Sequence, residues 1–299
     1  MNSHFAKWVI SILLLSIITC HSNGQNVMIQ TNSDFGMSVI FADGRSSFND
    51  PGYSYQQIDK QIISVLYKTF LAFEDNTSEG IEDEMLLQVG KKYSKYYSPL
   101  LHAADSALHT GGEQLAFRDR LFSKANPIFI NDCYYTDLNS GKVNFVCRFA
   151  TEDFEYSDNI PSIKWKTKEG SMTICGYVCK KAIGSLRGRN YEVWYTEDIP
   201  IAVGPWKLRG LPGAILKASD TEGLCGFEAK AVFRQTGMIE KPQYPYVTIS
   251  RKDYQSMLKQ YFKTPARFRS MHMSRAPGIV IRPPAKETPL RNVIILEKN

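Results

Sequence analysis

Between Pro127 and Phe233 the sequence is punctuated by turn signals about every ten residues, at 139–141, 169–170, 187–190, 210–213 and 220–223. The runs between them are rich in β-branched and aromatic residues. This is the pattern of consecutive antiparallel strands, not of alternating strand and helix. It predicts an α+β, mainly β fold, built on a sequential curved antiparallel sheet with one or two packed helices.

Two helices are predicted around that sheet. Ser98-Pro99 suits an N-cap and first helical position, Leu100, Leu101, Ala104, Ala107 and Leu108 recur at helical spacing, and Gly111-Gly112 ends the helix. A second helix follows Ser250, with Ser250 and Asp253 in capping-box positions and Tyr254, Met257, Leu258 and Tyr261 on one face. Before the first helix, residues 64–74 read as a strand and "DEMLLQVGKKYSKYYS" as its pairing partner, with a bulge near Gly90. "RNVIILE" reads as a last strand.

The first 24 residues read as a secretory signal peptide: Lys7, an apolar stretch over residues 8–19, then small residues before Gln25. That stretch is shorter than the roughly 20 residues a transmembrane helix needs. Cleavage before Gln25 is expected, with lipid attachment at Cys20 as the alternative. The chain then divides into a polar lead-in (25–51), a single β-rich domain (52–264) and a basic, Pro-containing tail (265–299). The formal net charge is +6, and residues 251–299 hold eleven Lys and Arg against three acidic residues. Such a tail suits a solvated face or an anionic surface. An exported chain without a binding motif gives no reason to expect nucleic acid.

Processing leaves Cys133, Cys147, Cys175, Cys179 and Cys225, and an oxidising compartment favours disulfides. "CYYTDLNSGKVNFVC" reads as a hairpin whose three-residue loop, Asn139-Ser140-Gly141, needs positive φ at the glycine. Counting outward from that loop sets Cys133 opposite Cys147, within disulfide reach. "MTICGYVCKKA" reads as a strand. Four residues along a strand cover about 13 Å, too far for Cys175 and Cys179 to bond each other. Either one of them pairs with Cys225 or they stay as small buried residues, and one thiol stays odd in any case.

In "GPWKLRGLPGAILKASD", Leu211-Pro212-Gly213-Ala214 has the composition of a type II turn, with positive φ at Gly213. A strand then starts, with Ala214, Leu216 and Ala218 on one side and Ile215, Lys217 and Ser219 on the other. "CGYVCKKA", "RGRNYEVWYTEDIP" and "GPWKLRGLPGAIL" together resemble the core of the GLPGLI family, exported envelope proteins of a Gram-negative lineage. The family motif falls on Gly210, Leu211, Pro212 and Gly213, with Ala214 where the usual second leucine stands. The resemblance implies export and a single β-rich domain, and it brings no catalytic residues.

No metalloprotease, serine-hydrolase or phosphate-loop motif is present. His102 and His109 sit seven apart on the first predicted helix and lack a third ligand at helical spacing unless Asp105 serves, and no metal or cofactor is expected. Gly204, Pro205, Trp206 and Arg209 form the candidate binding surface, because a loop joining rigid strands is where binding groups usually sit. Trp165, Trp194 and Trp206 suit core packing or a ligand groove. The expected role is a non-catalytic exported envelope protein in the periplasm or at the outer membrane: a carrier of an apolar ligand or an accessory partner of an outer-membrane system. The alternative is a thiol-redox or other envelope enzyme using Cys175 and Cys179, and a structural or adhesion module is a third reading.

Overall fold

A computed structural model describes residues 16–22, 25–32, 36–41, 55–99, 132–149, 152–243, 245–264, 267, 294 and 296–297. Strands β1 (Ser16–Ser22), β2 (Gln25–Asn32) and β3 (Gly36–Phe41) form an antiparallel three-stranded sheet. β4 (Tyr55–Gln61) pairs with β16 (Gly237–Pro242) in a two-stranded ribbon.

The main sheet has twelve strands and contains two meanders. One runs through β5 (Ile63–Ala72), β6 (Gly80–Val89), β7 (Tyr93–Tyr97), β8 (Cys133–Asp137), β9 (Lys142–Phe149) and β10 (Glu152–Asn159). The other runs through β11 (Lys166–Ile174), β12 (Tyr177–Leu186), β13 (Arg189–Thr196), β14 (Ala214–Asp220) and β15 (Cys225–Phe233). They join where β15 pairs with β5, and β17 (Val247–Thr248) adds a short parallel pairing to β10. The sheet is therefore mixed, and its order is sequential only within each meander.

Alternation along the strands separates two faces. On β5, Ile63, Val65, Tyr67, Thr69 and Leu71 are buried, while Lys68 is exposed. The outer face of the central strands carries cross-strand ion pairs, Lys68–Glu82, Lys230–Glu84 and Lys217–Glu228. The inner face carries the core. Its ends approach each other: the Arg187 guanidinium, at the β12–β13 turn, lies 2.6 Å from Asp158 on β10. In a flat sheet those strands would stand about 40 Å apart, at ~4.8 Å per strand spacing.

Helix α1 (Arg251–Lys263) covers part of the inner face. The Ser250 side chain caps it by accepting from the Asp253 amide. Tyr254 and Phe262 are buried, and Met257, Leu258 and Tyr261 pack against the core. The Tyr254 ring sits 4.6 Å from Phe145. Burying two such side chains contributes about 1.5–3 kcal/mol each. Among the described residues no helix is long and apolar enough to cross a membrane.

Several sequence expectations are corrected. Cys133 and Cys147 are free thiols and are not opposite each other: Cys133 faces Val146, and Cys147 faces Phe154 on β10. The Asp137 carboxylate accepts from the Asn139 and Ser140 amides, and Gly141 bonds back to the Asp137 carbonyl. That Asx turn lengthens the loop by one residue. A one-residue slip puts the two cysteines on opposite faces of the sheet, which no disulfide can span. Gly141 does have positive φ, at 75°.

"CGYVC" is not a continuous strand. Ile174 pairs with Tyr177 around a two-residue loop in which Cys175 (φ 51°) and Gly176 (φ 82°) both take the positive φ that type I′ hairpins require. Cys175, Cys179 and Cys225 are free, like Cys133 and Cys147. Gly170 lies at a bulge within β11 rather than in a turn, and Gly90 lies in the β6–β7 turn rather than at a bulge. Of "RNVIILE", the described residues 294, 296 and 297 are not in a strand. Pro99 is helical, and the rest of the first predicted helix, with His102 and His109, lies outside the described residues, as do His272 and most of the tail.

Candidate functional site

Residues 197–213 join β13 to β14, and their central stretch, 203–208, folds inward instead of over the surface. Two successive three-residue turns start them: Ile201 N–H bonds Ile199 C=O at 2.7 Å, and Val203 N–H bonds Ile201 C=O at 2.8 Å. Ile215 N–H then bonds Val203 C=O at 2.9 Å and clamps the loop to β14. A Cβ on Gly204 would meet the Leu208 carbonyl oxygen at 2.6 Å, so only glycine fits that approach. Trp206 holds φ 54°, a conformation that costs a non-glycine residue energy. It turns the following residue, Lys207, into the interior.

The expected binding surface is therefore not a surface. Gly204, Pro205 and Trp206 are buried, and Trp206 is core. Arg209 is half-buried and donates to the Asp137 and Leu138 carbonyls, so it braces the β8–β9 turn. Burial holds its guanidinium below its ordinary value. In the family motif, Gly210 (φ 98°) and Pro212 are exposed and Leu211 is buried. Gly213 does not take positive φ; a Cβ there would collide with the Thr196 carbonyl, so close approach explains this glycine. On β14, Ala214, Leu216 and Ala218 are buried as expected, but Ile215 is buried too, beneath the inturned loop. Trp165 and Trp194 pack against the core, and the Trp165 ring N–H donates to the Arg209 carbonyl at 2.8 Å.

Lys207 is the centre of a buried polar cluster that sequence reasoning did not identify. Its Nζ lies 2.9 Å from Asp158 and 2.6 Å from Glu297, with its side chain 1% exposed. The Arg187 guanidinium reaches Asp158 at 2.6 Å and Glu297 at 3.6 Å, and Arg251 at the start of α1 reaches Glu297 at 2.8 Å. Arg187, like Trp206, sits at positive φ (45°). Arg187 itself, and Lys207 directly after the strained Trp206, thus reach the same carboxylates. The only hint in the sequence was a lysine between two apolar residues, Trp206 and Leu208.

Aromatic rings wall the cluster, with Tyr134, Tyr156 and Trp206 about Lys207 at 5.5–5.6 Å. Behind Tyr134, Asp132 accepts from the hydroxyls of Tyr134 (2.6 Å) and Tyr254 (2.8 Å). Burial raises the Asp132 carboxyl above its ordinary value despite those donors and Lys207. Burial also pushes Asp158 up, but Lys207 and Arg187 outweigh it and leave Asp158 below the ordinary value. Chemically the cluster is a clamp. It ties the loop, β10, the β12–β13 turn, α1 and the C-terminal segment together, and each charge faces an opposite one.

The outer face holds a second polar group. Lys95 on β7 is 3% exposed and donates to the Glu240 carbonyl at 3.1 Å, as Tyr135 does at 3.2 Å, which fastens the β4–β16 ribbon to the sheet. Burial holds Lys95 below its ordinary value. The thiols are not activated. Burial raises Cys179 to about 11 and Cys225 to about 12, and burial with Glu228 raises the exposed Cys175. A nucleophilic cysteine needs the opposite shift. Among the described residues no group of three or more His, Cys, Asp or Glu is placed to hold a metal ion.

A family model described as "Protein of unknown function (Porph_ging)" matches residues 186–217, the stretch that carries Arg187, Trp206, Lys207 and the Gly210–Gly213 motif. The likeness to the GLPGLI family stays a resemblance beside that match. No curated protein matches the sequence. Two solved structures, described as "Structure of PNGF-II in C2 space group" and "Structure of PNGF-II in P21 space group", are similar to this chain at 18% identity and TM-score 0.45. Each likeness covers 68% of this chain, and this chain spans about a third of the length of those proteins, 33% and 34%.

Proposed function

We propose that the protein is a non-catalytic exported envelope protein that serves as an accessory partner of an outer-membrane system. One observation carries the reading: the inner face of the sheet is filled by Trp206, Leu208, Leu211, Tyr254 and Phe262, and its charges are paired with one another. An interior of that kind supports binding through the outside of the molecule rather than carriage of an apolar ligand within it. The raised thiols weigh against the redox alternative. Crosslinking and pull-down from the native envelope tests the proposal. One stoichiometric partner from the envelope fraction is expected; a cytoplasmic protein, or turnover that depends on Cys175 or Cys179, contradicts it.

A further inference from the structure

The main sheet ends on β11, and that end is open. Among the described residues no strand pairs with the far edge of β11, and every residue from Lys166 to Thr173 is exposed. β17, at the other end of the sheet, is only two residues long. A long unpaired edge presents a row of free amides and carbonyls, a template on which another chain can pair.

Both faces of the sheet run out on this strand. On the inner face the facing row Phe227, Ala218, Val193 and Ala182 is buried, yet its next member, Thr167 on β11, stands in water. Met172 repeats this beside the buried Cys179 and is 36% exposed. The core therefore stops one strand short of cover. On the outer face the row Glu228, Lys217, Trp194 and Lys181 continues to Lys168. Lys217 and Lys181 have carboxylates, Glu228 and Glu192. Lys164, Lys166 and Lys168 make no ion pair among the described residues, and Lys168 faces the like charge of Lys181. Glu169, at the bulge after Lys168, is the one carboxylate between residues 164 and 174.

A strand that fits this edge is specified on both faces. With side chains alternating, carboxylates meet Lys166 and Lys168 on the outer face, and the apolar residues between them cover Thr167 and Met172 on the inner one. A second copy of β11 does not fit, because it brings two sets of unpaired lysines together; lysines and a bulge are how natural edges repel their own kind. We infer that the open edge of β11 is a strand-addition site for an extended segment of alternating acidic and apolar residues from another protein. The inference names the chemistry of the partner and rests on the reading that this protein binds through its outside.

The test uses the purified protein and the synthetic peptide TEVEVET, capped at both ends and fluorescently labelled. Anisotropy should report saturable binding that weakens with salt, and amide hydrogen exchange should slow over residues 166–174. The sign-reversed peptide TKVKVKT should bind about ten-fold more weakly or worse. Exchanging exposed lysines leaves the core untouched: Lys166→Glu with Lys168→Glu should reverse the preference, so that TKVKVKT becomes the better ligand. Methylating alternate backbone nitrogens of TEVEVET, along one edge or along the other, should abolish binding for one of the two versions only, the mark of main-chain pairing. No saturable binding of TEVEVET, equal binding of the two peptides, protection away from β11, or dimerisation of the free protein through β11 would each overturn the inference. An envelope partner still captured by the Lys166→Glu, Lys168→Glu chain would leave the accessory role standing and remove β11 as its site.

Discussion

On the outer face Lys230 meets Glu84 at 2.6 Å with side chains 51% and 52% exposed; on the inner face Lys207 meets Glu297 at the same 2.6 Å with 1% and 5% exposed. Distance does not tell these pairs apart, but solvent does. Water and salt screen the outer pair, and holding two long side chains in one geometry offsets most of its attraction. The inner pair has exchanged hydration for its partners, so removing either one leaves a buried charge short of a partner. Outer pairs keep one face of the sheet wet, whereas inner pairs hold separate parts of the chain together.

The largest effect should come from Lys207→Ala, which takes the most deeply buried cation from Asp158 and Glu297 and leaves them Arg187 in common. A loss of about 3–5 kcal/mol is expected from urea unfolding. A loss within the range of the outer pairs would erase the distinction between the faces.

Acid titration should separate the two inner carboxylates. Asp158 has its folded pKa below the unfolded value, so its contribution is complete above about pH 4 and is lost as the pH falls through the lower folded value. Asp132 has its folded pKa raised, so its contribution is most favourable below about pH 4 and declines as the pH rises to the folded value. Urea midpoints measured against pH should show Asp158→Asn flattening the acid limb and Asp132→Asn flattening the decline above pH 4. Identical profiles for the two variants would contradict these assignments.

Tyr254→Phe should cost about 1 kcal/mol, the usual net worth of one hydrogen bond, because Asp132 keeps Tyr134 as a donor. A thermal melt checks it. Glu84→Ala should show the smallest effect, about 0–1 kcal/mol and weaker still at high salt. If Glu84→Ala matched Lys207→Ala, burial would not be the deciding variable.

What was legible in the sequence was local. The Ser250 cap, the strand periodicity and the 187–190 turn follow from chemistry within a few residues, and the structure has all three. The Cys133–Cys147 register failed because Asp137 competed with Gly141 to set the loop, and a single side-chain acceptor moved the register by one. Gly213 was assigned the wrong reason: its neighbour is Thr196, across the loop, and composition does not reveal a close approach. The Lys207 cluster was beyond reach for a related reason. Lys207 stands 49 residues from Asp158 and 90 from Glu297, and the sheet's return upon itself brings them together. Trp206 and Arg209 read as binding groups in the sequence, but the centre of the site is Lys207, directly after Trp206 and two residues before Arg209.

The most direct measurement is a double-mutant cycle on Lys207 and Glu297, read as urea-unfolding free energies of the parent, Lys207→Met, Glu297→Gln and the pair. A shared buried clamp predicts a coupling of about 1–3 kcal/mol, with the double variant less destabilised than the two single losses added together. Additivity within about 0.5 kcal/mol would show that the two side chains stabilise the fold independently, and that the inner face has no clamp at its centre.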